Sequence, residues 1–296
     1  MNAKLTGNVF FCGIPNAGKS TLINRICKYE FALINSKPQT TRKESRFLYT
    51  DENHQILFKD TPGFHFAKNE LDHFMNKEIY KNFRDANVVC YVCDITKQFN
   101  DEAIYFMQEV NKRSPNKLTV IFTKNDLLSA NQKSELQQIK IKEISQYLQF
   151  NNYFFTSIDD LNFIDNLLSM IKYGLLTDNY IDFENEDDDN FLISETIRGV
   201  TLNLLRQEVP YGIHVQIEDK HYDPIKKLFS IEAFIYCESE SKKKIIIGNK
   251  GEKIKEIGIR SRKKLNQIFD TQIYLGLVVK VSKDWRNNKN FIKKYI

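Results

Sequence analysis

Short apolar segments alternate with longer segments of helical period through the first half of the chain. The apolar segments, each typical of a buried strand, are Val9–Cys12, Ile56–Phe58, Val88–Cys93, Leu118–Phe122 and Tyr153–Phe155. Between them, segments such as Thr21–Lys28 and Lys133–Leu148 have the apolar spacing of amphipathic helices. This alternation predicts an α/β fold, with a mostly parallel sheet covered by helices on both faces. Ligands bind such sheets at the carboxyl ends of the strands.

The second half of the chain predicts a separate α+β unit. Its predicted elements are, in order, a helix near Ser194–Glu208, strands at His214–Glu218 and Leu228–Tyr236, a short basic turn, a glycine turn, a helix to about Phe269 and a last strand. Apolar residues alternate along that strand, which predicts one buried face: Ile273, Leu275, Leu277, Val279 and Val281. Between the halves, Asp182–Asp189 holds six acids in eight residues, as expected of a solvated linker. We predict domains at 1–176 and 191–296, joined by a linker at 177–190.

Composition excludes several classes of protein. A chain of 296 residues that is 42% hydrophobic and 27% charged is globular rather than disordered or fibrous. No apolar run approaches the ~20 residues of a membrane-spanning helix. The first residues fit neither a signal nor a transit peptide, and the odd number of scattered cysteines is typical of reduced thiols. We expect a cytoplasmic protein, monomeric and at most peripherally associated with the inner face of the membrane.

Charge is distributed unevenly along the chain. Residues 191–296 hold 21 basic and 12 acidic side chains, whereas residues 1–190 hold 22 basic and 26 acidic ones. The C-terminal part is therefore the part expected to hold a polyanion.

A phosphate-binding loop follows the first predicted strand. The segment Gly13–Ser20 reads Gly-Ile-Pro-Asn-Ala-Gly-Lys-Ser and leads into a predicted helix. Glycines let backbone N–H groups approach phosphate oxygens, and the helix N-terminus adds its positive end. We expect Lys19 to reach the β and γ phosphates and Ser20 to ligate Mg²⁺. The residues expected to bind the nucleotide here are Gly13, Asn16, Ala17, Gly18, Lys19, Ser20 and Thr21.

Two further motifs also follow predicted strands. A carboxylate at Asp126, expected to be buried, can accept hydrogen bonds from the N1–H and 2-amino groups of guanine, with Thr123 and Lys124 beside it. Alone this motif could be an ordinary polar loop, but the phosphate-binding loop upstream favours a base site. Asp60 can hold a Mg²⁺-bound water, and the Gly63 N–H can meet the γ-phosphate.

Together with the polar loop Gln39–Arg42, these motifs resemble those of translation-factor-class GTPases and are similar to the Era family. The resemblance implies GTP or GDP with Mg²⁺, held by Ser20, Thr41 and Asp60, with Lys19, Thr41 and Gly63 as the catalytic groups. The resemblance also implies that Ser157 supports the base. Three positions depart from the usual GTPase pattern: Thr123 replaces asparagine, Ser157 lies in Thr-Ser-Ile rather than Ser-Ala, and Phe64 replaces the glutamine that orients water.

The missing glutamine predicts slow hydrolysis, and so a switch rather than a metabolic enzyme. In related GTPases the asparagine that matches Asn16 ligates K⁺, so K⁺ is a possible second cation here. The alternative is an asparagine needed only for the loop's conformation.

The second unit has the element order of a type II KH domain, an RNA-binding module. A basic segment precedes the turn Gly248–Gly251, and the helix after it is rich in lysine and arginine. We expect RNA contacts from Gly248, Asn249, Lys250, Gly251, Lys253, Lys255 and Arg262. A merely solvated charged face is the alternative.

Similarity to the Era family extends over nearly the whole chain. It implies binding to the 3′ end of small-subunit ribosomal RNA, favoured by GTP, and a role in assembly of the small ribosomal subunit. Two other functions stay open: an RNA-binding protein with a vestigial nucleotide domain, and a GTPase acting at the membrane surface or in cell-cycle control.

Overall fold

The computed structural model describes residues 5–27, 45–113, 118–157, 161–173, 188–205 and 212–296. The chain divides into two compact units between Phe183 and Glu184. The predicted linker lies mostly outside the described residues, so its limits stay a prediction. Among the described helices, none is both long enough and apolar enough to span a bilayer.

The described part of the first unit contains a six-stranded sheet and five α-helices, which confirms the predicted α/β fold. The strand order is β2-β3-β1-β4-β5-β6. Only β2, at the edge, is antiparallel, and it pairs with β3. The strands are β1 Leu5–Cys12, β2 Ser45–Thr50, β3 His54–Asp60, β4 Val88–Asp94, β5 Leu118–Thr123 and β6 Asn152–Phe155. The helices are α1 Lys19–Cys27, α2 Glu70–Asp85, α3 Asp101–Arg113, α4 Ala130–Ile144 and α5 Leu161–Tyr173.

Helices cover both faces of this sheet. Side chains alternate along β1, so Val9 and Phe11 pack under α1 and α5, whereas Phe10 and Cys12 pack under α2, α3 and α4. Cys90 and Cys93 of β4 likewise lie in the two opposite cores. With both faces buried, the loops at the strand ends are left to form the site.

The second unit is a three-stranded sheet with three helices on one face and a short C-terminal helix against the other. Its elements are α6 Asp188–Leu204, β7 His214–Asp223, β8 Leu228–Cys237, α7 Glu240–Ile247, α8 Glu252–Phe269, β9 Gln272–Val281 and α9 Lys289–Tyr295. The strand order is β7-β8-β9, with β9 parallel to β8, and the hairpin, glycine turn, helix and last strand follow one another as predicted for a type II KH domain. The apolar core lies between the sheet and helices α6, α7 and α8.

One predicted element is wrong. The basic segment before Gly248, predicted as a short turn, is the helix α7. Ser239 is its N-cap, with the side-chain oxygen accepting from the Lys242 N–H at 3.3 Å. Ile246 is buried on its inner side, so packing stabilises the helix.

Candidate functional site

The phosphate-binding loop requires glycine at two points. Gly13 has φ of 149°, and a Cβ there would lie 2.2 Å from the Val92 carbonyl oxygen of β4. Gly18 has φ of 96°, which side chains rarely allow. Asn16 also has positive φ, at 63°, and its side chain is exposed. The backbone therefore curls tightly between β1 and α1.

Lys19 and Ser20, at the start of α1, lie inside this loop. The Lys19 ammonium donates to the carbonyl oxygens of Gly13, at 3.4 Å, and Ile14, at 3.1 Å. Burial lowers the pKa of Lys19, and attraction to Asp60 offsets only part of that effect. The Ser20 hydroxyl donates to Asp60 Oδ2 at 2.5 Å. Because β1 and β3 are neighbouring parallel strands, their carboxyl ends bring these two oxygen groups together.

The turn after β3 packs directly on the phosphate-binding loop. A Cβ on Gly63 would lie 2.5 Å from the Pro15 nitrogen, so the close approach requires glycine. The Phe64 N–H donates to the Gly13 carbonyl oxygen at 3.0 Å. The Phe64 side chain is buried and stacks on Phe106 of α3, with ring centroids 4.6 Å apart. It therefore points into the core.

Thr123, the departure from the usual asparagine, ties β5 to the phosphate-binding loop. Its buried hydroxyl lies 2.7 Å from the Ala17 carbonyl oxygen and 3.2 Å from that of Cys93. The next residue, Lys124, has φ of 61° and forms an ion pair with Asp94 at 2.6 Å. Burial tends to raise the pKa of Asp94, but bonds from Lys124 and from Thr96 outweigh it and hold that pKa below its usual range.

Asp126 is exposed, so the expectation of a buried carboxylate is wrong. It lies in a single turn of 3₁₀-helix, Asn125–Leu127, on the surface between β5 and α4. The Asn125 N–H donates to the Thr156 carbonyl oxygen at 3.1 Å, which brings the end of β6 and the half-buried Ser157 to this turn. Thr41 lies outside the described residues.

Removing the Thr123 hydroxyl should weaken nucleotide binding. In Thr123→Val the Ala17 carbonyl loses its donor, so we expect the affinities for GTP and GDP to fall together by roughly fivefold, about 1 kcal/mol. Titration with a fluorescent nucleotide measures both. Thr119→Val is a matched control, because Thr119 is also buried in β5 and, within the part of the chain that the structure describes, its hydroxyl contacts the Met170 sulfur at 3.8 Å. Equal losses in both variants would contradict the tether.

The second candidate site is the turn between α7 and α8. Gly248, Lys250 and Gly251 have φ of 75°, 47° and 81°. A Cβ on Gly248 would lie 2.8 Å from Lys253 Cγ, so the first glycine lets α8 begin against the turn. Asn249 and Lys250 are exposed. The turn thus presents backbone and two polar side chains to solvent.

A groove of about 400 Å³ opens next to the turn, between α8 and β9. It is lined by Ile254, Lys255, Gly258, Ile259, Arg262, Leu275 and Leu277. Two of these, Lys255 and Arg262, are predicted RNA contacts, whereas the apolar ones were not predicted. Gly258 was the available signal, because a glycine inside an amphipathic helix marks a close approach. An apolar floor with basic edges suits unstacked bases and their phosphates.

An ion-pair cluster fixes the position of this turn. Arg286 and Lys242 both bind the half-buried carboxylate of Glu238, at 2.6 Å each. Burial tends to raise the pKa of Glu238, but the two cations outweigh it and lower that pKa. Beside them, the fully buried Trp285 donates to the Gly212 carbonyl oxygen at 3.1 Å. The segment after β9 thereby anchors α7, and with it the glycine turn.

Family models match both units. Residues 8–124 match the model described as 50S ribosome-binding GTPase, and residues 208–286 match the model described as KH domain. Over 293 residues the chain is 35% identical to GTPase Era of Ureaplasma urealyticum serovar 10, covering 98% of this chain and 97% of the relative. It is 32% identical to GTPase Era of Caldanaerobacter subterraneus over 97% of its length and 96% of the relative.

Two solved structures match the whole chain. A crystal structure of Era in complex with MgGDPNP and nucleotides 1506–1542 of 16S ribosomal RNA superposes with a TM-score of 0.89 at 28% identity. It covers 99% of this chain and 98% of that one. A variant of Aquifex aeolicus Era bound to GDP and AlF4⁻ gives 0.86, also at 28% identity, and covers 98% of each chain.

Proposed function

This chain belongs to the Era family of GTPases, and we propose that it is a switch whose C-terminal unit binds the 3′ end of small-subunit ribosomal RNA and assists assembly of that subunit. As a member of the family it binds GTP and GDP and hydrolyses GTP to GDP and phosphate. The observation that supports the switch most directly is that one chain holds both a phosphate-binding loop and an exposed glycine turn beside a basic-edged groove.

In this proposal the phosphate chain lies in the loop Gly13–Thr21. Lys19, held by two loop carbonyls, exchanges them for the β and γ phosphate oxygens. The Ser20 hydroxyl and the Asp60 carboxylate are hard oxygen groups that already lie together, joined by a hydrogen bond of 2.5 Å. Ser20 and Thr41 would ligate Mg²⁺, and Asp60 would hold a Mg²⁺-bound water. The bound Mg²⁺ would neutralise charge on the β and γ oxygens.

Hydrolysis then depends on backbone and Lys19 electrostatics. Phe64 is buried against Phe106, so its side chain does not orient a water molecule. Gly63, packed on Pro15, offers its N–H to the γ-phosphate and is the group that detects its loss. A slow intrinsic rate follows, as a switch requires.

The remaining predicted site residues are assigned to binding of the guanine base and of the RNA. Asp126 accepts from guanine, the alkyl chain of Lys124 lies along the base, and Thr123 and Ser157 support the pocket from β5 and β6. In the second unit, the turn Gly248–Gly251 receives an RNA phosphate and Lys253, Lys255 and Arg262 contact the backbone.

Crosslinking the protein to ribosomal RNA with GTP or GDP bound, followed by sequencing, tests this function. We expect crosslinks at the 3′ end of the small-subunit RNA, and more of them with GTP. Equal crosslinking in both states would support an RNA-binding protein whose nucleotide does not regulate it. Crosslinks spread over many RNAs, together with binding to anionic vesicles, would support the membrane-surface alternative.

We also propose that K⁺ assists hydrolysis through Asn16. The exposed Asn16 side chain lies in the phosphate-binding loop, where its oxygen can hold a cation beside the transferred phosphate. Hydrolysis should be about tenfold faster in K⁺ than in Na⁺ at equal ionic strength. Single-turnover rates in the two salts measure this.

The variant that isolates the side chain is Asn16→Gly. Asn16→Ala should also erase the salt difference, but alanine strains a backbone with φ of 63°, whereas glycine keeps it. If Asn16→Gly still distinguishes K⁺ from Na⁺, or if the native protein does not, the asparagine serves only the loop's conformation.

A further inference from the structure

The peptide group between Gly63 and Phe64 is held at both ends. Its N–H, from Phe64, donates to the Gly13 carbonyl oxygen of the phosphate-binding loop at 3.0 Å. Its carbonyl oxygen, on Gly63, lies 3.2 Å from Nδ1 of His65. Gly63 itself is pressed on Pro15. The orientation of Gly63 therefore depends on His65 as well as on the loop.

The His65 ring lies between two groups that only accept hydrogen bonds. Nδ1 faces the Gly63 carbonyl, and Nε2 lies 3.0 Å from Asp72 Oδ1 of α2. The side chains of His65 and Asp72 are only 10% and 3% exposed, so water has little access to them. A neutral imidazole has one N–H and satisfies one acceptor, whereas the imidazolium satisfies both.

The first turn of α2 holds this arrangement in place. Asp72 Oδ2 accepts from the Lys68 N–H at 2.9 Å, and the Asp72 N–H donates to the N-cap side chain of Asn69 at 3.0 Å. The His65 carbonyl accepts from Asn76 Nδ2 at 2.8 Å. The carboxylate that holds the ring is thus fixed by the backbone at the N-terminal end of α2.

One more charged group faces the ring from α3. Glu102 accepts from the Phe66 N–H at 2.9 Å, and its negative charge favours a protonated His65. Burial lowers the pKa of His65, but the bonds to Asp72 and Gly63 and the charges of Asp72 and Glu102 outweigh it, so that pKa lies above 6.5. These groups therefore favour the protonated ring.

We propose that His65 is a positioning residue that, when protonated, holds Gly63 against the phosphate-binding loop and so makes the preference for GTP over GDP depend on pH. The inference rests on the role of Gly63 proposed above. GDP has no γ-phosphate for the Gly63 N–H to meet. Loosening Gly63 therefore weakens GTP binding and leaves GDP binding nearly unchanged.

The protonation state of the His65 ring determines how the ratio of GTP to GDP affinity changes with pH. Below its pKa the imidazolium donates to both Gly63 and Asp72. As pH rises through that pKa, the remaining proton stays on Nε2 beside the Asp72 carboxylate, and Nδ1 no longer donates to Gly63. The ratio of GTP to GDP affinity should then fall about tenfold, which corresponds to a difference of one pH unit between the His65 pKa in the two nucleotide states.

Two variants should respond in opposite ways. The glutamine amide in His65→Gln can donate to only one acceptor, and the charged Asp72 is favoured over Gly63, so the affinity ratio should be low at every pH. In Asp72→Asn, the amide nitrogen can donate to Nε2 while its oxygen keeps the bond from Lys68. That arrangement stabilises the neutral tautomer with the proton on Nδ1, so the ratio should stay high at every pH.

Affinities for GTP and GDP, measured with Mg²⁺ from pH 6 to 9, provide the test. The exposed His73 of α2 supplies the control, and His73→Gln should keep the native profile. Protonation of the nucleotide itself affects the native protein and the three variants equally, so it does not explain a difference between their pH profiles. The GDP affinity of each variant reports whether it is folded. Identical profiles in native protein and His65→Gln, or a low ratio in Asp72→Asn, would overturn the inference.

A measurement on the native protein needs no variant. Nitrogen-15 chemical shifts of the histidine ring should show both His65 nitrogens protonated at pH 6.5 and a smaller shift change at Nε2 than at Nδ1 above the pKa. An unprotonated Nδ1 at pH 6.5 would refute the proposal. Absence of any GTP preference at any pH would instead refute the role assigned to Gly63.

Discussion

Replacing Asp126 with asparagine should lower the affinity for GTP about 100-fold and create affinity for xanthosine triphosphate. The carboxylate accepts from both N1–H and the 2-amino group of guanine, and bonds to a charged acceptor are worth about 1.5 to 3 kcal/mol each. Asparagine keeps one acceptor and gains a donor. Xanthine fits that pair, because its 2-oxo group accepts where guanine donates. Competition binding with GTP, ATP and xanthosine triphosphate measures the change.

Exposure of Asp126 limits the size of this effect. In the described residues the carboxylate lies on the surface, so water screens it until a base covers it. Asp101→Asn, on α3, removes the same charge away from the base and should leave all three affinities unchanged. Native protein that binds ATP as tightly as GTP would contradict the assignment of Asp126.

The phosphate-binding loop could be predicted because its constraints are local. A Cβ on Gly13 would lie only 2.2 Å from the Val92 carbonyl oxygen, and Gly18 needs a φ of 96°. Such requirements leave glycine in the sequence at fixed spacing, followed by the Lys-Ser pair. A pattern of residue types is then sufficient to find the loop, its strand and its helix.

Contacts between distant residues could not be predicted. The Thr123 hydroxyl reaches the Ala17 carbonyl across 106 residues. The motif alone shows this threonine only as a departure from the usual asparagine. Exposure of Asp126 is a second case, since a motif fixes the residue type but not the depth of the turn that holds it. The groove beside Gly258 likewise exists only once β9 pairs with β8.

Prediction of two short elements, β2 and α7, failed because contacts with distant parts of the chain stabilise them. The edge strand β2 was not predicted, although its apolar run 47–49 is as long as Ile56–Phe58. Phe47 is its buried core residue, and the strand forms by pairing with β3. The helix α7 is eight residues long, and its three lysines suggested a turn. Its N-cap signal, Ser239, was present in the sequence, but the helix is stabilised by packing of Ile246 that the sequence does not show.

Replacing both Asn249 and Lys250 with aspartate should lower RNA affinity about 100-fold. Both side chains are exposed, so the change places two carboxylates against the RNA phosphate without disturbing the core. Like charges brought together at an interface cost several kcal/mol, and about 3 kcal/mol corresponds to 100-fold. Aspartate also tolerates the left-handed backbone of Lys250. Binding of a single-stranded RNA with the 3′-terminal sequence of small-subunit ribosomal RNA measures the loss.

A control with the same change of charge separates local contact from overall electrostatics. Lys226→Asp with Lys227→Asn, in the turn between β7 and β8, likewise lowers the net charge by three. That turn lies at the opposite end of β8, a strand of ten residues or about 30 Å, from α7 and the glycine turn. The control should lose only a few-fold in RNA affinity, and its loss should vanish at high salt because screening acts on distant charges first. GTP affinity depends on the other unit, so both double variants should keep it. Equal losses of RNA affinity in the two would mean that net charge alone attracts the RNA, and unaltered binding in the aspartate variant would place the RNA site away from the glycine turn.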